Sequence, residues 1–351
     1  MKVAVLTFID TINYGALLQS YALKTIIENL GHKCDIIQYT NRFIEKNEKN
    51  ANLFSINWLL RELIIGRHFQ TKTNKFRTFE KKYITYTNKV TSETIHTIDK
   101  DYDIIIVGSD QVWNLNITNN DWHFYLDFIN NKNKKISYAP SFGESELTDS
   151  MLNRIGLLLN EFKSISVRED SASVLLKNKL DIVAEVVLDP TLLLRKEDWS
   201  KIVDFKPVLE HYILVYLPHD KKIVFDFAKR LSQEKGLPIV YLSISPRIIK
   251  DVTTIYDASP TEFLGWIKHA DYVVTGSFHG TAFSLIFEKH FFYEPVHRNS
   301  RIGNLVNISG TNKQDLLVAD WNSKIDYANV TKKILFLQEK SVNWLKQSLD
   351  S

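Results

Sequence analysis

The chain has 351 residues, 44% apolar and 24% charged, the profile of a soluble globular protein with room for about two domains. Its formal net charge of +3 is too small to point to nucleic acid as a partner. The single cysteine, Cys34, excludes an intrachain disulfide and a thiolate metal centre, and it fits a reducing compartment. The opening run from Met1 to Phe8 is cut short before Asp10, which reads as a first strand and not as a signal peptide. No run approaches the roughly 18 apolar residues needed to span a bilayer. A cytoplasmic protein is expected.

Strand and helix alternate from the start. Val3 to Phe8 predicts a buried strand, Tyr14 to Leu30 a helix stopped at Gly31, and Cys34 to Tyr39 a second strand. Ile104–Val107 is a continuous β-branched run, the signature of a strand buried on both faces, and Ile136–Ala139 and Ile165–Val167 read similarly. The pattern restarts after Leu188-Asp189-Pro190. Tyr212–Leu217 and Pro238–Leu242 predict strands flanking a helix at Ile223–Glu234. Ser259 caps a helix with Pro260 at its first position and Glu262 in its first turn. Phe291–Tyr293 predicts a further strand and Val330–Leu349 a last helix.

This alternation implies an α/β protein with two Rossmann-like, parallel-sheet domains facing a cleft. The expected division is 1–190, 191–329, and a helix at 330–351 packing back on the first domain. Residues 42–90 interrupt the pattern as an expected helical insertion of the first domain. Between Arg42 and Lys89 stand eleven Lys and Arg against four Glu, interleaved with aromatic residues. Such a segment suits peripheral contact with an anionic membrane surface, the alternative being a solvated helical hairpin.

The most informative stretch runs from Asp271 to Phe287. A short strand, Tyr272-Val273-Val274, leads through Thr275-Gly276-Ser277 into a helix with His279 at its start. Strand, tight turn and helix present backbone N–H groups and a positive dipole end to an anion. His279, Ser277, Gly280 and Thr281 would then form a phosphate or carboxylate site with a titratable group beside it. The alternative is a packing histidine in a helix cap. Arg168 ends another predicted strand, and Arg298 and Arg301 follow the strand Phe291–Tyr293. Strand ends are where open α/β sheets bind ligands.

On the other half, Asn13-Tyr14-Gly15 opens the first helix, where a tight packing turn is as good a reading as a ligand contact. Asp110 and Gln111 follow the strand Ile104–Val107. Asp110 could orient or deprotonate a substrate hydroxyl, or cap a helix beginning near Gln111. Tyr138, Ser141 and Phe142 end a third strand, where an aromatic ring could stack on a ligand.

Six pieces of sequence, in one order, carry a resemblance. They are Asn13 to Leu23, Val107 to Asn114, Tyr138 to Gly143, Ser166 to Glu169, Leu188 to Leu193, and the His279 segment with Ser259 to Phe263 before it and Asn299 to Arg301 after it. Together they resemble the polysaccharide pyruvyl transferase family over about residues 3–308. The resemblance implies a GT-B-like fold and transfer of the enolpyruvyl unit of phosphoenolpyruvate to a sugar as a cyclic ketal. It implies phosphoenolpyruvate and a saccharide acceptor, free or lipid-linked, as partners, with no metal and no cofactor. It places His279, Arg168 and a downstream basic residue at the donor site; of these His279, with an unperturbed pKa near 6.5, is the candidate catalytic acid. Many members carry an arginine two residues before the histidine; here Ser277 stands there, so Arg298 or Arg301 would have to supply that charge. The acceptor side would comprise Asn13, Tyr14, Gly15, Asp110, Gln111, Tyr138, Ser141 and Phe142, with Asp110 catalytic. Two other readings remain open at this point: a GT-B glycosyltransferase using a nucleotide sugar, and a non-catalytic subunit of a polysaccharide assembly complex.

Overall fold

The structure is a computed structural model and describes residues 1–9, 11–41, 43, 58–143, 146–217, 221–243, 249–295 and 300–351, with only the helical backbone for 58–66. In chain order the elements used below are β1 (Lys2–Leu6), α1 (Tyr14–Asn29), β2 (Lys33–Ile36), α2 (Trp58–Tyr83), β3 (Ile104–Val107), β4 (Lys135–Ser137), α3 (Asp149–Leu159), β5 (Ser164–Val167), α4 (Asp170–Leu180), β6 (Glu185–Val186) and α5 (Lys196–Ile202). They continue with β7 (Ile213–Tyr216), α6 (Lys222–Lys235), β8 (Ile239–Leu242), β9 (Val252–Ile255), α7 (Pro260–His269), β10 (Tyr272–Thr275), α8 (Phe278–Ile286), β11 (His290–Tyr293), α9 (Arg301–Ser309) and α10 (Tyr327–Asp350).

The chain forms two compact units. The first comprises Met1–Leu53, Tyr83–Leu193 and Leu335–Ser351, and the second Phe54–Lys82 and Leu194–Ile334. The first sheet has the order β2-β1-β3-β4-β5-β6 and the second β11-β10-β7-β8-β9. Every pairing of neighbouring strands is parallel. Parallel strands are covered on both faces, so β3 and β7 are buried along their whole length. Val3 pairs with both Cys34 and Ile104, which fixes β1 between β2 and β3. On one face of the first sheet, Ala4, Leu6, Ile105 and Val107 pack with Trp113, Phe124 and Tyr125. In the second unit Ile213, Val215, Val274 and Phe292 pack against Val224, Phe227 and Leu231 of α6.

One expectation about the segments changes. The basic segment, expected on the first domain, belongs to the second unit from Phe54 to Lys82. The reason is charge pairing along α2. His68 Nδ1 meets Asp257 Oδ2 at 3.2 Å, and Lys75 Nζ donates to Glu262 Oε1 and Oε2 at 3.0 and 2.8 Å. Between them Lys72 is 3% exposed, and burial pushes its amine down to about 8 against the pull of nearby Asp257. From Leu335 on, the C-terminal helix is grouped with the first unit. Its Ser341 hydroxyl accepts from Leu188 N at 3.0 Å, and Gln338 Nε2 donates to Leu192 O and Leu193 O at 3.2 and 2.6 Å.

Candidate active site

In the first unit the carboxyl ends of β3, β4 and β5 lie side by side and carry Asp110, Ser141 and Arg168-Glu169. Each guanidinium nitrogen of Arg168 faces a different carboxylate. Nη1 meets Asp189 Oδ2 at 2.9 Å, Nη2 meets Asp110 Oδ1 at 3.6 Å, and Nε meets Glu169 Oε2 at 4.0 Å. Burial alone would weaken the Arg168 charge; Asp189, Glu169 and Asp110 outweigh it and hold the guanidinium pKa above its usual value. Asp189 is the innermost partner, with its other oxygen accepting from Thr191 N at 3.0 Å and Thr191 Oγ1 at 2.7 Å. The Ser141 hydroxyl donates to Glu169 Oε1 and accepts from Gly143 N at 3.0 Å.

This placement revises the sequence reading of Arg168. An open fork for a substrate carboxylate was expected; the observed fork is enclosed by three of the protein's own carboxylates, because the end of β5 abuts the turn at Asp189. Asp110 is not a helix cap, since the next helical turn, Leu115–Thr118, is capped by Asn114. Asp110 takes a left-handed backbone with φ of 71°, and its Oδ1 accepts from Gln111 N at 2.8 Å.

The aromatic residues expected to stack on a sugar are core. Tyr138 is fully buried and donates from its hydroxyl to Leu188 O at 3.1 Å; Phe142 packs on Trp113 at 5.2 Å between ring centroids. Asn13 is the N-cap of α1, its side chain accepting from Gly15 N and Ala16 N at 2.9 and 3.3 Å, and Tyr14 and Gly15 are buried in that first turn. Gln111 accepts from Asn114 Nδ2 at 3.3 Å. Of the proposed acceptor residues, Asp110 and Ser141 are the two the structure joins to the Arg168 network.

In the second unit the strand, turn and helix form as read: β10, then Gly276-Ser277, then α8. Ser277 caps the helix by accepting from Gly280 N at 3.3 Å, and Thr281 Oγ1 donates back to Ser277 O at 3.0 Å. Both hydroxyls and the Gly280 N–H, expected to face an anion, are therefore engaged within the cap. The turn is tightly built. A Cβ on Gly280 would lie 2.3 Å from Thr275 Oγ1, whose hydroxyl donates to Tyr216 O and accepts from Ser277 N. His279 is 7% exposed, with its ring edge-on to Phe278 at 5.1 Å.

Groups missed in the sequence complete this edge. Tyr216, at the end of β7, has its phenol raised well above the usual range by burial, and its hydroxyl meets the Ser277 side chain. Glu294, just after β11, packs so close that a Cβ on Gly276 would be 2.6 Å from its Oε2; Lys221 Nζ donates to Oε1 at 2.7 Å. Tyr216 closes β7 and Glu294 follows β11, and position at a strand's carboxyl end is the signal that would have found them. Arg301 is the first residue of α9, with Ser300 as its N-cap. A cation gains nothing from a helix dipole at that end, so the dipole does not account for it. Arg298 lies outside the described residues. Arg168 belongs to the first unit, and His279 and Arg301 to the second. Among the described residues, no group of three or more His, Cys, Asp or Glu is arranged to hold a metal ion, and no helix is long and apolar enough to cross a membrane.

Two parallel-sheet α/β units of this kind make a GT-B-like fold, and solved structures agree. MnaA of S. aureus with UDP superposes with a TM-score of 0.50 at 11% identity, over 99% of this chain and 91% of that one. The UDP-GlcNAc 2-epimerase of Methanocaldococcus jannaschii gives 0.50 at 12%, over 96% and 93%. At these identities the likeness is one of fold. No curated protein matches the sequence. The family model for polysaccharide pyruvyl transferase matches residues 13–297, and the chain belongs to that family.

Proposed function

We propose that the protein transfers the enolpyruvyl unit of phosphoenolpyruvate to a sugar of a surface-polysaccharide precursor, forming a pyruvate ketal and releasing phosphate. The observation that carries this reading is the family match over residues 13–297, which contains the His279 turn and the Asp110–Arg168 network. His279 is the proposed acid. Its proton goes to the terminal carbon of the enol ether, turning CH2 into CH3 and leaving a cationic carbon stabilised by its oxygen. One sugar hydroxyl adds to that carbon and loses its proton. The bond to the phosphate oxygen then breaks, and a neighbouring hydroxyl adds and loses its proton. Of the two protons released, one replaces that delivered by His279 and the other leaves with phosphate.

Asp110 is the proposed base for an acceptor hydroxyl. Arg301, with Arg298 and Lys221, is proposed to supply the cations for the donor's phosphate and carboxylate. The reaction scheme calls for no metal or organic cofactor. Peripheral membrane contact, with a lipid-linked acceptor on the cytoplasmic side, is proposed from the charge of residues 42–89, though Lys72 and Lys75 are turned to the second unit.

The fold alone equally suits a nucleotide-sugar enzyme. Thermal unfolding separates the two: phosphoenolpyruvate is expected to raise the melting temperature, and UDP-sugars to leave it unchanged. Stabilisation by a UDP-sugar and none by phosphoenolpyruvate would overturn the proposal.

A further inference from the structure

The sequence predicts an anion at the start of α8, where a strand, a tight turn and a helix follow one another. The structure puts one of the protein's own anions there. Glu294 stands just past β11, the neighbour of β10, and its N–H donates to Thr275 O at 2.9 Å. From that ledge its side chain lies against Gly276, the residue before the N-cap Ser277. A Cβ on Gly276 would be 2.6 Å from Glu294 Oε2 and 3.0 Å from Leu217 Cδ2, so the glycine is what admits the carboxylate to the turn. The other oxygen, Oε1, accepts from Lys221 Nζ at 2.7 Å. Lys221 comes from the opposite side of β10, as the N-cap of α6 after β7. The pair therefore meets across the end of β10, at the turn that leads to His279.

Stability explains this pair poorly. The Glu294 side chain is 16% exposed and that of Lys221 51%. A half-exposed ion pair contributes little, and sinking a carboxylate that far costs desolvation. A lysine at the start of a helix also meets the unfavourable end of its dipole. What the arrangement gains is a negative charge at the favourable end of α8, with a cation held beside it. An anion arriving at this turn meets a lysine already in place.

Resting on the pyruvyl-transfer reading, we propose that Lys221 and Glu294 form a charge-exchange latch, in which Glu294 stands in for the donor's phosphate and yields Lys221 to it when the donor binds. A phosphate group carries more charge and more acceptor oxygens than one carboxylate, so it outcompetes Glu294 for the ammonium. Glu294 is thus a positioning residue that keeps Lys221 at the turn between turnovers. No covalent bond is made or broken in the exchange; one ion pair replaces another. Repulsion between Glu294 and the bound phosphate lowers donor affinity and assists release of the phosphate product.

The test measures binding of inorganic phosphate and of phosphoenolpyruvate by calorimetric titration at fixed ionic strength. It compares the wild type, Glu294→Gln, Lys221→Met and the double variant, with ligand-free thermal unfolding recorded for each. Glu294→Gln is expected to bind both ligands about threefold more tightly, the scale of a half-exposed ion pair. Lys221→Met is expected to weaken both by about tenfold or more, in the wild-type and in the Glu294→Gln background. Melting temperatures without ligand are expected to stay within about 3 °C of the wild type. Unchanged or weaker phosphate binding by Glu294→Gln would overturn the latch, and a larger fall in melting temperature alongside it would mark the pair as structural. No loss from Lys221→Met in the Glu294→Gln background would also overturn it, because Glu294 would then act by repulsion alone. If inorganic phosphate follows the expected pattern but phosphoenolpyruvate binds to no variant, the pyruvyl-transfer reading has failed and the latch serves another phosphorylated ligand. If phosphoenolpyruvate is bound and turned over with affinities that neither substitution changes, that reading stands and the latch fails.

Discussion

The two sheets end in opposite chemistry. At the carboxyl edge of the first sheet, charged side chains close on one another: one guanidinium against three carboxylates, all buried. At the corresponding edge of the second, the β10–α8 turn is held by neutral groups. The Thr275, Ser277 and Thr281 hydroxyls stitch the turn, and Gly280 leaves no room for a side chain. The first edge is a buried charge cluster; the second surrounds the start of α8, where His279 stands, with hydroxyl hydrogen bonds. Similar parallel sheets supply the ledges, and a few residues past each strand decide what the ledge can do.

The comparison breaks most sharply at Arg168. Replacement by Ala leaves three buried carboxylates without their cation and is expected to cost about 3–5 kcal/mol in urea unfolding. A loss below about 1 kcal/mol would mean water reaches the cluster freely. His279→Gln keeps a hydrogen-bonding side chain but cannot carry the transferred proton. It is expected to reduce turnover about a hundredfold or more, with phosphoenolpyruvate still raising the melting temperature. Near-normal turnover would make His279 a binding residue only.

The two units should also answer pH in opposite directions. Lys72 in the second unit titrates near 8 when folded and near its ordinary value when unfolded. Between those values the unfolded chain binds the extra proton, so stability should rise with pH from about 8 to about 10.5, by roughly 3 kcal/mol. Lys72→Met should abolish that rise in denaturant midpoints measured across the range. In the first unit, His123 is raised by its hydrogen bond to Asp121, with burial opposing. Its contribution is complete below the unfolded histidine pKa and is lost as pH climbs through the higher folded one. His123→Gln should therefore destabilise by about 1 kcal/mol near pH 5.5 and by less near pH 9. Equal losses at both would show that only packing between Tyr39 and Phe128 is at stake.

Much of this was legible in the residues. β3 and β7 could be read because strands covered on both faces are continuous apolar runs, and α7 because Ser259 and Glu262 form a complete capping box. β9 was missed: an edge strand, Val-Thr-Thr-Ile, half-buried at most, carries no such run. The allegiance of α2 was also out of reach, since amphipathicity says that a helix has a partner and not which one. At the site, position was legible and engagement was not. Strand-end logic found Asp110, Arg168 and His279, but it could not show that Asp189 already holds the Arg168 fork or that Tyr138 points inward. Those facts depend on which strand ends become neighbours.

The most direct test of the central claim is to incubate the protein with phosphoenolpyruvate and a panel of free and lipid-linked galactosides and mannosides, and to follow acceptor mass and inorganic phosphate together. Pyruvyl transfer predicts a sugar heavier by one carboxyethylidene group and an equal amount of phosphate. Phosphoenolpyruvate left intact with every acceptor, while a nucleotide sugar donates its glycosyl group to one of them, would contradict it.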